Sequence, residues 1–132
     1  MKNTTPVKLK SAEISLIDTD IVKVITAGNY ESTVQDVDEI NETVRELIGD
    51  SRHYILVITQ QGSTSSSEAK THAAQESFRK NVIAQAIVIS NVAIRLMATA
   101  YMKAYRPKHV IKLFNSEEKA MRWLRLLKTR EK

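Results

Sequence analysis

Apolar and polar positions recur along this chain with two different periods, and the switches between them mark out the elements. In VKLKSAEISL, residues 7–16, Val7 and Leu9 flank Lys8, while Ile14 and Leu16 flank Ser15. This is the period of two expected of a half-exposed strand. Pro6 stands just ahead of it, where a missing N–H does no harm. After the turn-rich Asp18-Thr19-Asp20, residues 21–27 (IVKVITA) predict a second strand, ended by Gly28-Asn29 and close enough to the first to pair as an antiparallel hairpin.

The period then lengthens. Over residues 33–48, Val34, Val37, Ile40, Val44, Leu47 and Ile48 gather on one helical face, and Asp36, Glu39, Glu42 and Glu46 fall on the other. Ser32 and Gln35 have capping-box spacing, and Gly49 stands where a left-handed residue ends a helix. Residues 54–59 (YILVIT) are nearly all apolar or β-branched, as in a strand covered on both faces. Gly62 and the hydroxyl run Ser63, Thr64, Ser65, Ser66 and Ser67 predict a loop. Ser65 with Glu68 would cap a helix over 66–78 with a small apolar face of Ala69, Ala73, Ala74 and Phe78.

The densest apolar signal follows, with a strand over 84–90 that contains Ala86, Ile87, Val88 and Ile89 in succession, then a helix over 91–105. Pro107 separates that helix from a short strand at 109–114. A last helix is capped by Asn115 or Ser116, led by Glu117 and Glu118 at its positive end, and apolar along Ala120, Trp123, Leu124 and Leu127. The expected order is β-β-α-β-α-β-α-β-α. It makes an α/β fold with a mainly parallel sheet, an N-terminal antiparallel hairpin and right-handed crossovers.

Composition narrows the setting. A chain of 132 residues closes one core, so residues 1–132 are expected to form a single domain. No apolar run approaches the roughly 18 residues of a membrane span. There is no cysteine, which removes disulfides, thiolate catalysis and thiolate metal sites. MKNTTPVKLK lacks the apolar stretch of a signal peptide, so a cytoplasmic location is expected. The net charge of +5 is unevenly spread: residues 1–66 hold six Lys/Arg against ten Asp/Glu, and residues 67–132 hold fourteen against five. Self-complementarity between halves or subunits is the plainer meaning of that polarity, and nucleic-acid binding the other.

Phe114, Glu117, Glu118, Ala120, Trp123 and Leu124 in the ending KLFNSEEKAMRWL, together with AIVISNVAIRLMATAYMK and the order of elements, resemble the SpoIIAA-like fold of STAS (sulfate transporter and anti-sigma-factor antagonist) domains. Small stand-alone bacterial proteins of that fold, mostly of unknown function, are the nearer likeness. The resemblance implies a regulatory or protein-interaction role. It also implies that a phosphorylatable serine, in an Asp-Ser-Ser-Gly-Leu type segment, would sit where this chain has Gly62 and the run Ser63, Thr64, Ser65, Ser66, Ser67. Hydroxyls are present there, but the preceding Asp and following Gly-Leu are not, and a serine-rich capping loop is the simpler expectation.

Other chemistry finds little support in the pattern. The three histidines carry no nucleophile motif, and G-x-S-x-G is absent. Glu68, His72 and Glu76 share a helix face at metal-ligand spacing, yet HAAQE is not HExxH. No glycine-rich phosphate cradle exists, and the basic stripe Lys119, Arg122, Arg125, Lys128, Arg130 lacks interleaved aromatics. No catalytic residue, cofactor or metal is therefore expected. What stands out is the helix over 91–105, where Arg95, Thr99 and Lys103 make one narrow polar stripe. Ile94, Met97, Ala98, Tyr101 and Tyr105 make a candidate interface or apolar pocket, with Val92, Leu96 and Ala100 on a second face. Cover by the last helix is the plain expectation for that second face. The sequence thus suggests a non-enzymatic STAS-like regulatory or protein-interaction domain, as a homodimer, or alternatively a small carrier for an apolar or lipid-like ligand.

Overall fold

The computed structural model of the protein describes residues 5–75, 80–105 and 110–131. In chain order the elements are β1 (Val7–Lys8), β2 (Ala12–Ile17), β3 (Ile21–Thr26), β4 (Tyr30–Ser32), α1 (Val34–Ile48), β5 (His53–Ile58), β6 (Ser63–Ser65), α2 (Ser67–Ala73), β7 (Val82–Val88), α3 (Val92–Tyr105), β8 (Val110–Phe114) and α4 (Glu117–Glu131). The main sheet has the order β1-β2-β3-β5-β7-β8, and β4 pairs with β6 in a separate two-stranded sheet.

The predicted hairpin forms between β2 and β3, in register from Ala12 opposite Thr26 to Ile17 opposite Ile21. Its turn places Asp18 and Thr19 at φ of 54° and 68°, a left-handed region that Asp enters readily and in which the β-branched Thr19 is strained. From β3 onward the sheet is parallel through β5, β7 and β8. The fold class is therefore α/β, with a mixed, mostly parallel sheet and four helices among the described residues.

Period-two alternation on β5 divides the core. Tyr54 and Leu56 face one side, where they meet Ile21, Ala84, Ala86, Val88 and the α4 residues Ala120 and Leu124. Ile55 faces the other side with Val22, Val24, Ile14 and Ala12, against Ile40, Val44, Leu47 and Ile48 of α1. Each fully buried aliphatic side chain contributes about 1.5–3 kcal/mol. The ending that carries the STAS resemblance is part of this packing: Phe114 and Trp123 meet with ring centroids 5.5 Å apart at 48°, and Ala120 and Leu124 are fully buried.

Several expected boundaries move. The single strand expected over 7–16 turns at residues 9–11, where the Leu9 N–H donates to the Ala12 carbonyl at 2.8 Å, and β1 folds back antiparallel on β2. The serine run is not all loop: Ser63–Ser65 form β6, parallel to β4, a strand too short and polar to show any apolar alternation. The α1 capping box is Thr33 with Asp36, not Ser32 with Gln35, so Asp36 is buried beneath the cap while Val34 is turned outward. Likewise Ser66 rather than Ser65 caps α2, which stops at Ala73. Residues 74 and 75 are no longer helical, and 76–78, the end of the expected helix, lie outside the described residues.

Cutting Leu124 back to alanine leaves a cavity between α4 and two central strands. We expect Leu124→Ala to lower unfolding free energy by about 2–5 kcal/mol in urea titrations. Leu126→Ala, at a neighbouring residue that is 50% exposed, is expected to change it by less than about 0.5 kcal/mol.

Candidate functional site

Three places compete for a function: the serine run, the surface of α3, and a cavity under α1. The serine run is largely occupied by local structure. Ser63–Ser65 are in register with Tyr30–Ser32. The Ser66 hydroxyl accepts from the Ala69 N–H at 3.0 Å, and the Ser66 N–H donates to the Ser32 carbonyl at 3.0 Å. Thr64 and Ser67 remain exposed.

The neighbouring α1 cap is equally committed. One oxygen of Asp36, Oδ2, accepts from the Tyr30 hydroxyl at 2.7 Å, the Thr33 N–H at 2.9 Å and the Thr33 hydroxyl at 3.1 Å. Burial works to raise the Asp36 carboxyl, but the bonds from Thr33 and Tyr30, with the charge of Lys10, outweigh it and hold the carboxyl below its ordinary value. The Tyr30 phenol is raised in turn, first because its hydrogen bond to Asp36 favours the protonated form. This cluster ties β4 to α1 and leaves no free acid–base pair.

On α3 the candidate interface residues stand as follows. Asn91 Oδ1 accepts from the Ile94 N–H at 3.0 Å and caps the helix, and the Arg95 guanidinium folds back onto the Ile89 carbonyl at 2.7 Å. Val92, Leu96 and Met97 are 61%, 66% and 70% exposed. Ile94 and Tyr101 are exposed too, and Ala98 is half-buried. The Tyr105 side chain lies outside the described residues. Neither core cluster contains a residue of α3. Neither core shows the sheet or the last helix covering α3: α4 closes the side of the sheet away from α1, against β5, β7 and β8. Ile87, Ile111 and Leu113, on the strands beside α3 in sequence, also belong to neither cluster and are partly exposed.

The third place went unrecognised in the sequence. A cavity of about 410 Å³ opens between α1 and the sheet, bounded by Val24, Ile40, Val44, Ile55 and Val57. Ser32 and Ser65 of the small sheet and Ala73 of α2 also border it, and Arg45, Asp50 and Lys80 are exposed residues among its walls. Two buried polar side chains, His53 and Gln85, interrupt the apolar face beneath it. Both sit at positions where alternation points the side chain to the α1 side, His53 in step with Ile55 and Val57, and Gln85 beside Ile55 in register. A polar residue in phase with an otherwise apolar strand face is the signal that would have found them.

A family model matches residues 15–128. The chain belongs to the domain of unknown function family DUF7793. No curated protein and no solved structure matches it. The span matched by the DUF7793 model runs from within β2 into α4, and so includes the cavity, the serine run and α3. Among the described residues, no three His, Asp or Glu side chains cluster to hold a metal ion. His72 Nε2 instead meets Asp38 Oδ1 at 2.6 Å, and Glu76 lies outside the described residues. No helix among the described residues is long and apolar enough to cross a membrane.

The Asp36 cluster gives a pH test. A carboxyl held low in the folded state stabilises fully above its unfolded value, about 3.9, and less as pH falls through the folded value. We expect Asp36→Asn to cost about 1–2 kcal/mol at pH 7, from the lost cap and charge-assisted bonds. The gap from the parent protein should narrow in urea melts below about pH 3.9, the ordinary carboxylate value. The raised Tyr30 phenol acts at the other end: its contribution holds below about pH 10 and fades above it.

Proposed function

We propose that this DUF7793 domain is a non-enzymatic, SpoIIAA-like regulatory or interaction domain that works as a homodimer through α3. The observation that carries this is an apolar helix with Val92, Ile94, Leu96, Met97 and Tyr101 all exposed. Sheet order supports the fold part of the reading, with a hairpin leading into four parallel strands laid down in sequence across the sheet. For strands laid down in that direction, right-handed crossovers assign the helices between them to one side, which is the side α1 takes. There α3 would cover β7 and β8, whose Ile87, Ile111 and Leu113 stand in neither core cluster.

A second copy is the occupant that this pairing favours. The chain carries both an uncovered helix and an uncovered strand face, so two copies satisfy both by placing each α3 on the partner's β7 and β8, or by packing α3 against α3. Charge places little obstacle, because Arg95 is turned back onto the Ile89 carbonyl. Sedimentation at tens of micromolar should give a dimer. Leu96→Glu or Met97→Glu should weaken it at least tenfold, since each removes a buried apolar side chain worth about 1.5–3 kcal/mol. A parent protein that is monomeric at millimolar concentration sinks the reading.

A second reading, a carrier of a small apolar or lipid-like ligand, is favoured by the cavity under α1. Its 410 Å³ falls within the range of small-molecule sites, about 300–1,000 Å³. Native mass spectrometry of protein purified without detergent should then show an added mass that Val44→Phe, which fills the cavity, removes. Identical bare masses for both proteins count against it.

A further inference from the structure

β8 is the last strand of the main sheet, and among the described residues no strand lies beyond it. It pairs parallel with β7 on its inner side, where the Phe114 carbonyl accepts from the Ile89 N–H at 2.9 Å. Successive residues of a strand turn their main-chain groups to alternate neighbours, so Lys112 and Phe114 bond inward while Ile111 and Leu113 offer N–H and C=O to the open edge. Side chains alternate as well. Lys112 and Phe114 point to the α4 side, where the Lys112 ammonium stands 5.6 Å from the Phe114 ring centroid and 5.9 Å from that of Trp123. Ile111 and Leu113 point to the other side, half-buried and in neither core cluster.

α4 lays cations beside this edge. Lys119, Trp123, Leu126 and Arg130 recur at i, i+4, i+7 and i+11 and so share one stripe, which the contact of Trp123 with Phe114 fixes on the β8 flank. At 1.5 Å per residue the stripe runs about 16 Å, roughly the length of a strand such as β8 at about 3.3 Å per residue. Lys112, Lys119 and Arg130 are exposed, and no ion pair among the described residues engages them. On the opposite flank Arg125 and Lys128 are already held by Asp18 and Asp20. A lysine on an open edge discourages pairing with just any strand. Lys112 alone would serve that end; two more cations aligned along the same edge select a strand of opposite charge.

We propose that the β8 edge takes an extended acidic segment of a partner protein as an added strand. Its acidic side chains alternate toward Lys112, Lys119 and Arg130, and the apolar ones between them lie beside Ile111 and Leu113. Main-chain bonds to Ile111 and Leu113 supply affinity, and the alternation supplies the choice of partner. A nucleic acid would meet the same cations, but Phe114 and Trp123 are packed ring against ring, half-buried and overlain by Lys112, which leaves no open face for base stacking. This goes beyond the α3 dimer and does not depend on it.

Calorimetry on the full chain at low salt compares three end-blocked peptides long enough to span β8: alternating glutamate and valine, the same residues with the valines in one block, and alternating lysine and valine. The first should bind about tenfold more tightly than either of the others. In hydrogen exchange of the parent protein it should slow the Ile111 and Leu113 amides, and N-methylation of its valines should abolish both effects. Lys112→Glu combined with Lys119→Glu should reverse the charge preference by about tenfold, each exposed pair changing affinity by up to about fivefold. If that protein does not fold, Lys119→Glu with Arg130→Glu, both on the exposed side of α4, carries the same test. Met97→Glu, which breaks the α3 dimer, should leave the peptide affinity unchanged, so the two proposals fail separately. Equal binding of the alternating and block peptides overturns strand addition, and an unaltered preference in the charge-reversed protein overturns the role of the cations. Oligothymidylate binding more tightly than the acidic peptide overturns the choice of partner. No binding of any peptide at millimolar concentration overturns the whole inference.

Discussion

A parallel strand in the middle of a sheet has no solvent side, and β5 makes that demand of this whole chain. Its side chains enter two separate cores, and each core needs a helix to close it. α4 closes one with the fully buried Ala120 and Leu124. α1 closes the other less completely, because its residues Ile40 and Val44 stand over a sheet face that holds His53 and Gln85 as well as Ile55 and Val57. The cavity is where these two surfaces fail to meet. Its position follows from the sheet rather than from any loop.

Charge also ties down the covering helix. Arg125 reaches Asp18 at 3.1 Å, Lys128 reaches Asp20 at 2.8 Å, and Lys23 reaches Glu117 at 2.8 Å. Arg125–Asp18 and Lys128–Asp20 join the basic second half of the chain to the acidic first half, so the polarity seen in the sequence is used within the molecule at these two points, while Lys23–Glu117 runs the other way. Partly exposed pairs of this kind add little stability, about 0–1 kcal/mol each. They bridge both ends of α4 to β3 and its turn, while the buried Ala120 and Leu124 decide which face of the helix meets the sheet.

Elements with a strong period were legible from residues alone. The faces of α1 and α4 could be assigned, and the buried strands β5 and β7 lay within a residue or two of the apolar runs that mark them. Local polar chemistry was harder, because Ser32, Thr33, Ser65 and Ser66 are all good caps and a one-residue shift decides which serves. Thus Asp36 was read as surface charge although it is the buried half of a cap. The paired strands β4 and β6 were invisible for lack of apolar alternation, and the cavity because its walls come from residues 24–85, brought together only by folding. The apolar excess of α3 was plain; where that helix would rest was not, since hydrophobicity states that a surface wants cover without naming the cover. The resemblance to STAS domains rests partly on Phe114, Ala120, Trp123 and Leu124, and these are packing residues, so that likeness speaks to architecture more than to activity.

One small feature fixes where a wall of the cavity under α1 stands. Gly62, at φ +78°, lies so close to Asn29 that an added Cβ would come within 2.2 Å of its side-chain oxygen, and the backbones bond there, Asn29 N–H to the Gln61 carbonyl at 3.0 Å. The connections leaving β3 and β5 are thereby riveted to each other, and the ribbon of β4 and β6 that continues from them carries Ser32 and Ser65 as a wall of the chamber. Any side chain at position 62 would collide with Asn29, so the placing of that wall depends on a position that glycine alone fills without strain.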